Sequence, residues 1–265
     1  MKTCVWYMVF ALALFVNPVS ADQWVIDDNF IGGGFDKIVK PIWVQKEGDV
    51  ISTFDDINQF DVDQMIVDIT DSGLVNISIQ TDYRQGYLKT DYGDLFISTN
   101  GWNPFGISQY RNDVYGVGEV WEFAFDTSDD TSDDTNERKI YKIGDVDIVT
   151  SNDYHGNPTN QYRNNQEVQI NPNGATSVSG VVSGYDARFS EGTIDGIRML
   201  TYSFSLRDLG IPADAGYDLG FRWSMTCAND IIEGGVSKAA VPEPATLMML
   251  GMGLLGLSAA ARKKR

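Results

Sequence analysis

Alternation of apolar and polar residues runs through the body of this sequence. Four stretches show it clearly: 75–79, 121–126, 200–206 and 219–225. A period of two residues is typical of β-strands that bury one face and expose the other. No stretch of about a dozen residues in the body of the chain carries a helical stripe, and 206–211 predicts at most one helical turn before Pro212. The body is therefore predicted to be β-structure.

The segments between these strands predict an antiparallel arrangement. Turn-forming clusters of Gly, Asn, Asp and Pro stand at 31–35, 127–136, 156–160 and 171–174. Strands that are polar on one face and joined by such turns favour antiparallel sheets packed face to face. We therefore expect an all-β, jelly-roll-like antiparallel β-sandwich that forms a single domain over residues 22–240, with a closed barrel as the alternative. The acidic stretch 126–137 is interpreted as a loop of that domain.

The N-terminus reads as a secretory signal peptide. Lys2 supplies a positive start, residues 5–16 form an uncharged apolar core, and Val-Ser-Ala at 19–21 is a small-residue cleavage pattern. Cleavage there leaves a mature chain that starts near Asp22. The pattern predicts export through the Sec machinery.

The C-terminus has three parts that together predict a targeting signal. Pro242, Glu243 and Pro244 form a stiff, extended segment that a processing enzyme can reach. Residues 245–261 are uncharged and long enough to cross a thin hydrocarbon core as a helix. Residues 262–265 are all Arg or Lys, which the positive-inside bias holds in the cytoplasm. The chain is therefore predicted to be anchored transiently in the inner membrane, with its body outside.

This arrangement resembles the PEP-CTERM sorting signal of exported proteins of Gram-negative bacteria. The resemblance covers 241–265 and includes the Pro-Glu-Pro motif, the Gly-spaced apolar helix and the basic end. It implies recognition by exosortase, a membrane-embedded cysteine transpeptidase-like enzyme, and removal of the tail near the motif. It also implies delivery to the cell surface or the extracellular matrix. A plain membrane anchor that stays attached is the alternative.

Charge restricts the partners. The chain has 37 acidic and 20 basic residues, a net charge of −17. Such a field repels phosphate backbones, so we expect no nucleic-acid partner, whereas divalent cations and cationic partners are favoured. Solubility alone is the simpler explanation of the acidity.

Enzymatic motifs are absent from the sequence. There is no Gly-x-Ser-x-Gly elbow, no His-Glu-x-x-His helix and no phosphate-binding Gly loop. His155 is the single histidine, and Cys227 is the single cysteine after signal removal, which we expect to be buried rather than reactive or paired with a second molecule. Glu122 on a polar strand face is a conceivable glycosidase carboxylate. We expect a protein that is not an enzyme and holds no cofactor.

Calcium is the one ion that the sequence suggests. The acidic loop at 126–137 contains Thr-Ser-Asp-Asp twice and offers hard oxygen ligands of the kind that Ca²⁺ prefers. The weak candidate ligands are Asp126, Asp129, Asp130, Asp133 and Asp134. The spacing of an EF-hand is missing, so a solvated acidic loop is the alternative.

A sugar site is the remaining candidate. Trp102 and Asn103 stand in a polar loop where an indole ring can stack on a pyranose and amides can bind its hydroxyls. Trp121 and Trp223 lie in apolar rows and are predicted to be core. We expect a non-enzymatic surface or matrix protein associated with extracellular polysaccharide or biofilm. The alternative is a carbohydrate-binding module or lectin-like sandwich, with or without a structural Ca²⁺.

Overall fold

The computed structural model describes residues 21–28, 30, 59–106, 110, 112–128, 136–154, 163–240 and 252. The predicted signal peptide up to Ser20, the Pro-Glu-Pro motif and, apart from Met252, the predicted C-terminal helix lie outside these residues. Over the described part, no helix is long and apolar enough to span a membrane.

Twelve strands form the regular structure of the described residues, together with short 3-10 turns. The strands are β1 Ala21–Asp27, β2 Val62–Thr70, β3 Leu74–Thr81, β4 Leu95–Ser98, β5 Phe123–Asp126, β6 Glu137–Lys142, β7 Asp147–Thr150, β8 Glu167–Asn171, β9 Ala187–Ile194, β10 Ile197–Ser205, β11 Tyr217–Ser224 and β12 Ile231–Lys238. The single helical turn predicted before Pro212 is a 3-10 turn at Leu206–Leu209. The all-β prediction is confirmed.

Ten of these strands form one antiparallel sheet that is nearly closed into a barrel. Their order is β1-β2-β3-β10-β9-β6-β5-β4-β11-β12, and β7 pairs with β8 in a separate small sheet. The predicted sandwich of two sheets is not confirmed, because β6 pairs with β9 through Glu137–Arg188 and Arg138–Ala187 and joins the two five-stranded halves. Apolar–polar alternation along the sequence predicts which face of a strand is buried, but it does not predict which strands pair.

Side chains draw the two edges of this sheet together. Lys238 Nζ lies 2.7 Å from Asp22 Oδ2, and Ile26 packs so closely on Gly234 that a Cβ there would lie 2.7 Å from Ile26 Cγ2. Asp22 comes four residues before Ile26, and Gly234 comes four residues before Lys238. The two pairs therefore fit a single antiparallel register. We call this line between β1 and β12 the seam.

Aromatic side chains fill the interior of the sheet. Phe125 on β5 meets Tyr202 on β10 edge to face, with ring centroids 5.1 Å apart, although these strands are not neighbours in the sheet. Trp223 is fully buried in the same core, as predicted. The interior of the sheet is therefore closely packed, and the sheet is a rigid support for the loops on its outer face.

The outer face of one half of the sheet is also covered. Trp121 packs there with Phe96, Tyr141 and Ile170 in a second apolar cluster beneath the β7–β8 sheet. Trp121 is buried, as predicted, but on the opposite face of the sheet from Phe123. This cover explains why all residues of β4 and β5 are buried.

Candidate functional site

The Trp102 loop lies against the outer face of β11 and β12 because two glycines leave room for it. A Cβ at Gly220 would lie 3.0 Å from the carbonyl oxygen of Gly101, and one at Gly235 would lie 2.8 Å from Trp102 Cβ. Gly101 itself has a φ of +98°, which favours glycine. The sequence thus places Trp102 next to the seam.

Trp102 is half-buried and held from several sides. Its indole N–H donates a hydrogen bond of 2.8 Å to Glu233 Oε1. Its ring meets those of Tyr110 and Phe30 edge to face, with centroids 5.2 and 6.3 Å away. The indole is therefore a fixed wall whose orientation does not depend on a ligand.

A buried charge network supports this wall. The Arg222 guanidinium donates to Glu233 Oε2 and to Gln166 Oε1, each at 2.6 Å, and its side chain is 1 % exposed. Glu167 Oε2 lies 3.7 Å from Arg222 Nη2. Burial raises the pKa of Glu233 to about 8, while Arg222 and the Trp102 indole lower it. Burial likewise raises the pKa of Glu167, against the pull of Arg222.

A cleft of about 440 Å³ opens beside Trp102 along the seam. Its lining residues are Val25, Ile26, Asp27, Trp102, Asn103, Asp218, Glu233, Gly234, Gly235, Val236 and Ser237. The structure thus brings the two predicted sugar-site residues, Trp102 and Asn103, to one cleft. We call it the Trp102 cleft.

Exposed polar groups surround the indole in this cleft. Asn103, Asp27, Asp218 and Ser237 are exposed. The backbone N–H of Asn103 donates to the buried carboxylate of Glu119, which fixes the loop and leaves the Asn103 side chain at the surface. An aromatic wall beside carboxylates, an amide and a hydroxyl is chemically suited to sugars. Asp27 and Asp218 were not predicted, because their proximity to Trp102 depends on strand pairing.

Two other residues considered from the sequence have structural partners. Glu122 accepts hydrogen bonds from the backbone N–H of Thr99 at 2.7 Å and from the side-chain amide of Asn100 at 2.8 Å. Both contacts hold the start of the Trp102 loop. Cys227 is buried, as predicted, and burial raises the pKa of its thiol to about 12. His155 lies outside the described residues.

The acidic loop is described only at its base. Asp126 is buried, and its Oδ1 accepts hydrogen bonds from the backbone N–H and the hydroxyl of Ser128. The other candidate Ca²⁺ ligands of the loop, Asp129, Asp130, Asp133 and Asp134, lie outside the described residues.

A different carboxylate group, which the sequence did not predict, meets where three segments converge. Carboxylate oxygens of Asp28, Asp61 and Asp230 all lie within 4.8 Å of one another. Asp230 is buried and also accepts hydrogen bonds of 2.8 Å from the backbone N–H groups of Val62 and Ile231. These oxygens are of the type that binds hard cations, and the Asp230 carboxylate already joins the start of β2 to the start of β12.

A second cleft, of about 460 Å³, lies on another part of the surface. Its lining includes Tyr92, Thr127, Arg138, Gln169 and Phe189, and the Arg138 guanidinium lies 5.7 Å from the ring centroid of Phe189. It borders the acidic loop, and Arg138, the basic residue among its described lining, is already in contact with the Phe189 ring.

Comparison with known proteins identifies the C-terminal segment. Residues 240–265 match the PEP-CTERM protein-sorting motif, which confirms the resemblance and includes Pro242, Glu243 and Pro244. The motif indicates exosortase-dependent sorting of an exported protein. No curated protein and no solved structure matches the chain.

Proposed function

We propose that this chain is an exported protein that exosortase processes and releases to the cell surface or extracellular matrix, where it associates with polysaccharide without catalysing a reaction. The observation that carries the proposal is the sorting motif at 240–265, which begins directly after the last strand of the sheet. The β domain is then the cargo, and the two terminal segments direct it.

The two ends of the domain support processing of the folded protein. Strand β12 ends at Lys238, and Pro242 follows four residues later, a span of at most about 14 Å. Strand β1 begins at Ala21, the last residue of the predicted signal peptide. The ion pair between Asp22 and Lys238 joins the start of β1 and the end of β12 at one end of the seam. The N-terminal cut removes the Ala21–Thr70 pair and leaves the β1–β2 pairs from Asp22 to Asp27 in place, and a cut near Pro242 leaves β12 whole.

In this proposal the C-terminal segment anchors the chain before it is cut. Residues 245–261 cross the inner membrane, and residues 262–265 remain in the cytoplasm. Exosortase then recognises the Pro-Glu-Pro motif on the outer side of that membrane. Sec exports the chain, and the signal peptide 1–21 is removed.

A binding role without catalysis is supported by the arrangement of the buried ionisable groups. The Glu233 carboxyl beside Trp102 accepts hydrogen bonds from both Arg222 and the indole N–H, and its fully buried side chain offers a substrate no exposed atom. Glu122, the glycosidase candidate, holds the Trp102 loop.

The second candidate function, a carbohydrate-binding module or lectin, is favoured by one observation. Trp102 and Asn103 line the same cleft, next to exposed carboxylates. A structural Ca²⁺ on the acidic loop belongs to this version of the proposal and is supported by the sequence of the loop alone.

Alanine substitution of Pro242, Glu243 and Pro244 in the native host tests the sorting proposal. We expect the variant to accumulate as a longer chain in the membrane fraction, whereas the control Asp195→Asn, at an exposed residue outside the Trp102 cleft, is released like the wild type. Normal release of the triple variant would refute processing at the motif. Incubation of the released protein with polysaccharide from its host should give binding without new reducing ends; new reducing ends would show an enzyme.

A further inference from the structure

We infer that the Trp102 cleft binds polysaccharides that carry protonated amino groups in preference to uncharged or acidic ones. This inference rests on the proposed association with polysaccharide and specifies the sugar chemistry that the cleft selects.

Charge within the cleft is the first argument. Asp27 on β1 and Asp218 on β11 are both exposed and line it, and none of its described lining residues is Lys or Arg. Two carboxylates without a cation in the same cleft attract an ammonium group and repel a uronate. The cleft therefore discriminates by charge as well as by shape.

Glu233 does not add to this charge, although it lines the cleft. Its two oxygens accept hydrogen bonds from the Trp102 indole and from Arg222, and its side chain is fully buried. The positive charge of Arg222, which donates a hydrogen bond to Glu233 Oε2, balances any negative charge on the Glu233 carboxyl. The charge that a ligand meets comes from Asp27 and Asp218.

Trp102 is the second argument, because an indole favours the same ligand. A pyranose stacks on its ring, and an ammonium near the ring gains a cation–π attraction. Gly235 has no side chain, which lets Trp102 pack directly on β12 and form one wall of the cleft. Asn103 and Ser237 are exposed where they can bind sugar hydroxyls.

Two oligosaccharides of equal length and linkage test the inference. Oligomers of glucosamine and of N-acetylglucosamine differ at each unit in an ammonium or an acetamide. Their binding to the processed protein from its host is measured by calorimetry at mildly acidic pH. We expect the glucosamine oligomer to bind about 5- to 20-fold more tightly, the effect of two partly exposed ion pairs.

The variant Asp27→Asn/Asp218→Asn isolates the charge. It should lower the affinity for the glucosamine oligomer about 5-fold or more and leave that for the acetylated oligomer within about twofold. Asp195→Asn is the matched control, because Asp195 is exposed in the β9–β10 turn and its φ of 51° suits Asn. It should change neither affinity. The charge variant serves as the main test because Trp102→Ala would also remove packing against Tyr110 and Phe30.

Each contrary outcome has a distinct meaning. Equal binding of both oligomers refutes the preference for amino groups and leaves the association with polysaccharide standing. An equal loss in Asp195→Asn, or equally strong binding of polylysine that the double variant retains, shows attraction to the overall negative charge and refutes the cleft. Absence of binding to either oligomer and to host polysaccharide refutes both ideas, while the sorting proposal is judged separately by the processed ends.

Discussion

Arg222→Met is expected to destabilise the fold strongly, because Arg222 holds the network beneath Trp102. The substitution removes the donors to Glu233 and Gln166, both at 2.6 Å, and keeps an unbranched chain. Each buried acceptor that loses its donor costs about 1–3 kcal/mol, so the free energy of unfolding should fall by about 2–6 kcal/mol. The loss is large against the total of about 5–15 kcal/mol for a typical domain.

Urea unfolding of the processed protein measures this loss. Arg207→Met is the control, since Arg207 is exposed in a 3-10 turn, and it should stay within about 0.5 kcal/mol of wild type. The double variant Arg222→Met/Glu233→Gln should lack the further loss of stability above pH 8, because no titratable carboxyl remains at position 233 and the Gln oxygen still accepts from the Trp102 indole.

The pH dependence of the free energy of unfolding tests the role of Arg222 independently. Burial raises the pKa of Glu233 to about 8 from an ordinary value of 4.5, so its contribution to stability is present below the ordinary value and is lost as pH rises towards 8. Arg222 lowers this pKa, and without Arg222 it rises further. The variant then continues to lose stability above about pH 8, where wild type no longer does, at up to about 1.4 kcal/mol per pH unit. A loss below about 1 kcal/mol at neutral pH, or a gap that stays constant above pH 8, would refute this reasoning.

Three further predictions concern single features of the fold. Asp208→Asn should cost about 2–4 kcal/mol in urea unfolding at neutral pH, because Asp208 accepts from the backbone N–H groups of Gly180, Val182 and Ser183 and from the Ser183 hydroxyl. These hydrogen bonds lower its pKa against the effect of burial, so the difference from wild type should vanish as pH falls below the ordinary value of 3.8; a difference that persists in acid would contradict this. Gly235→Ala should cost about 1–3 kcal/mol through the clash with Trp102, whereas the added methyl of Gly192→Ala in β9 meets no atom within 4 Å and should be tolerated; equal effects would contradict the packing. If the acidic loop holds Ca²⁺, saturating Ca²⁺ should raise the melting temperature by several degrees relative to chelator, and no shift would exclude a structural ion.

The sequence predicted those parts of the fold that depend on local pattern. Strands β3, β10 and β11 follow the alternating stretches, and the helical turn at Leu206–Leu209 stands where it was expected. Strand β12 was not predicted, since Glu233 and two glycines interrupt its apolar pattern. Each interruption has a partner on another segment: Arg222 of the neighbouring strand β11 pairs with Glu233, Ile26 of β1 fills the space over Gly234, and Trp102 lies on Gly235. A pattern of one strand cannot contain that information.

The candidate site shows the same limit. Trp102 and Asn103 could be selected because an aromatic residue in a polar loop is a local signal. Arg222 lies on a row that alternation assigns to solvent, yet it is buried because Gln166 and Glu167 of the β8 segment cover it. Asp27 and Asp218 join the cleft through the near closure of the sheet. Pairing of distant strands, rather than composition, determines these neighbours.

The mass of the mature protein from its native host tests the central claim most directly. We expect a released chain that starts near Asp22 and ends near the Pro242–Pro244 motif, without the apolar segment and the basic end. An intact chain of 265 residues recovered from the cytoplasm would contradict it.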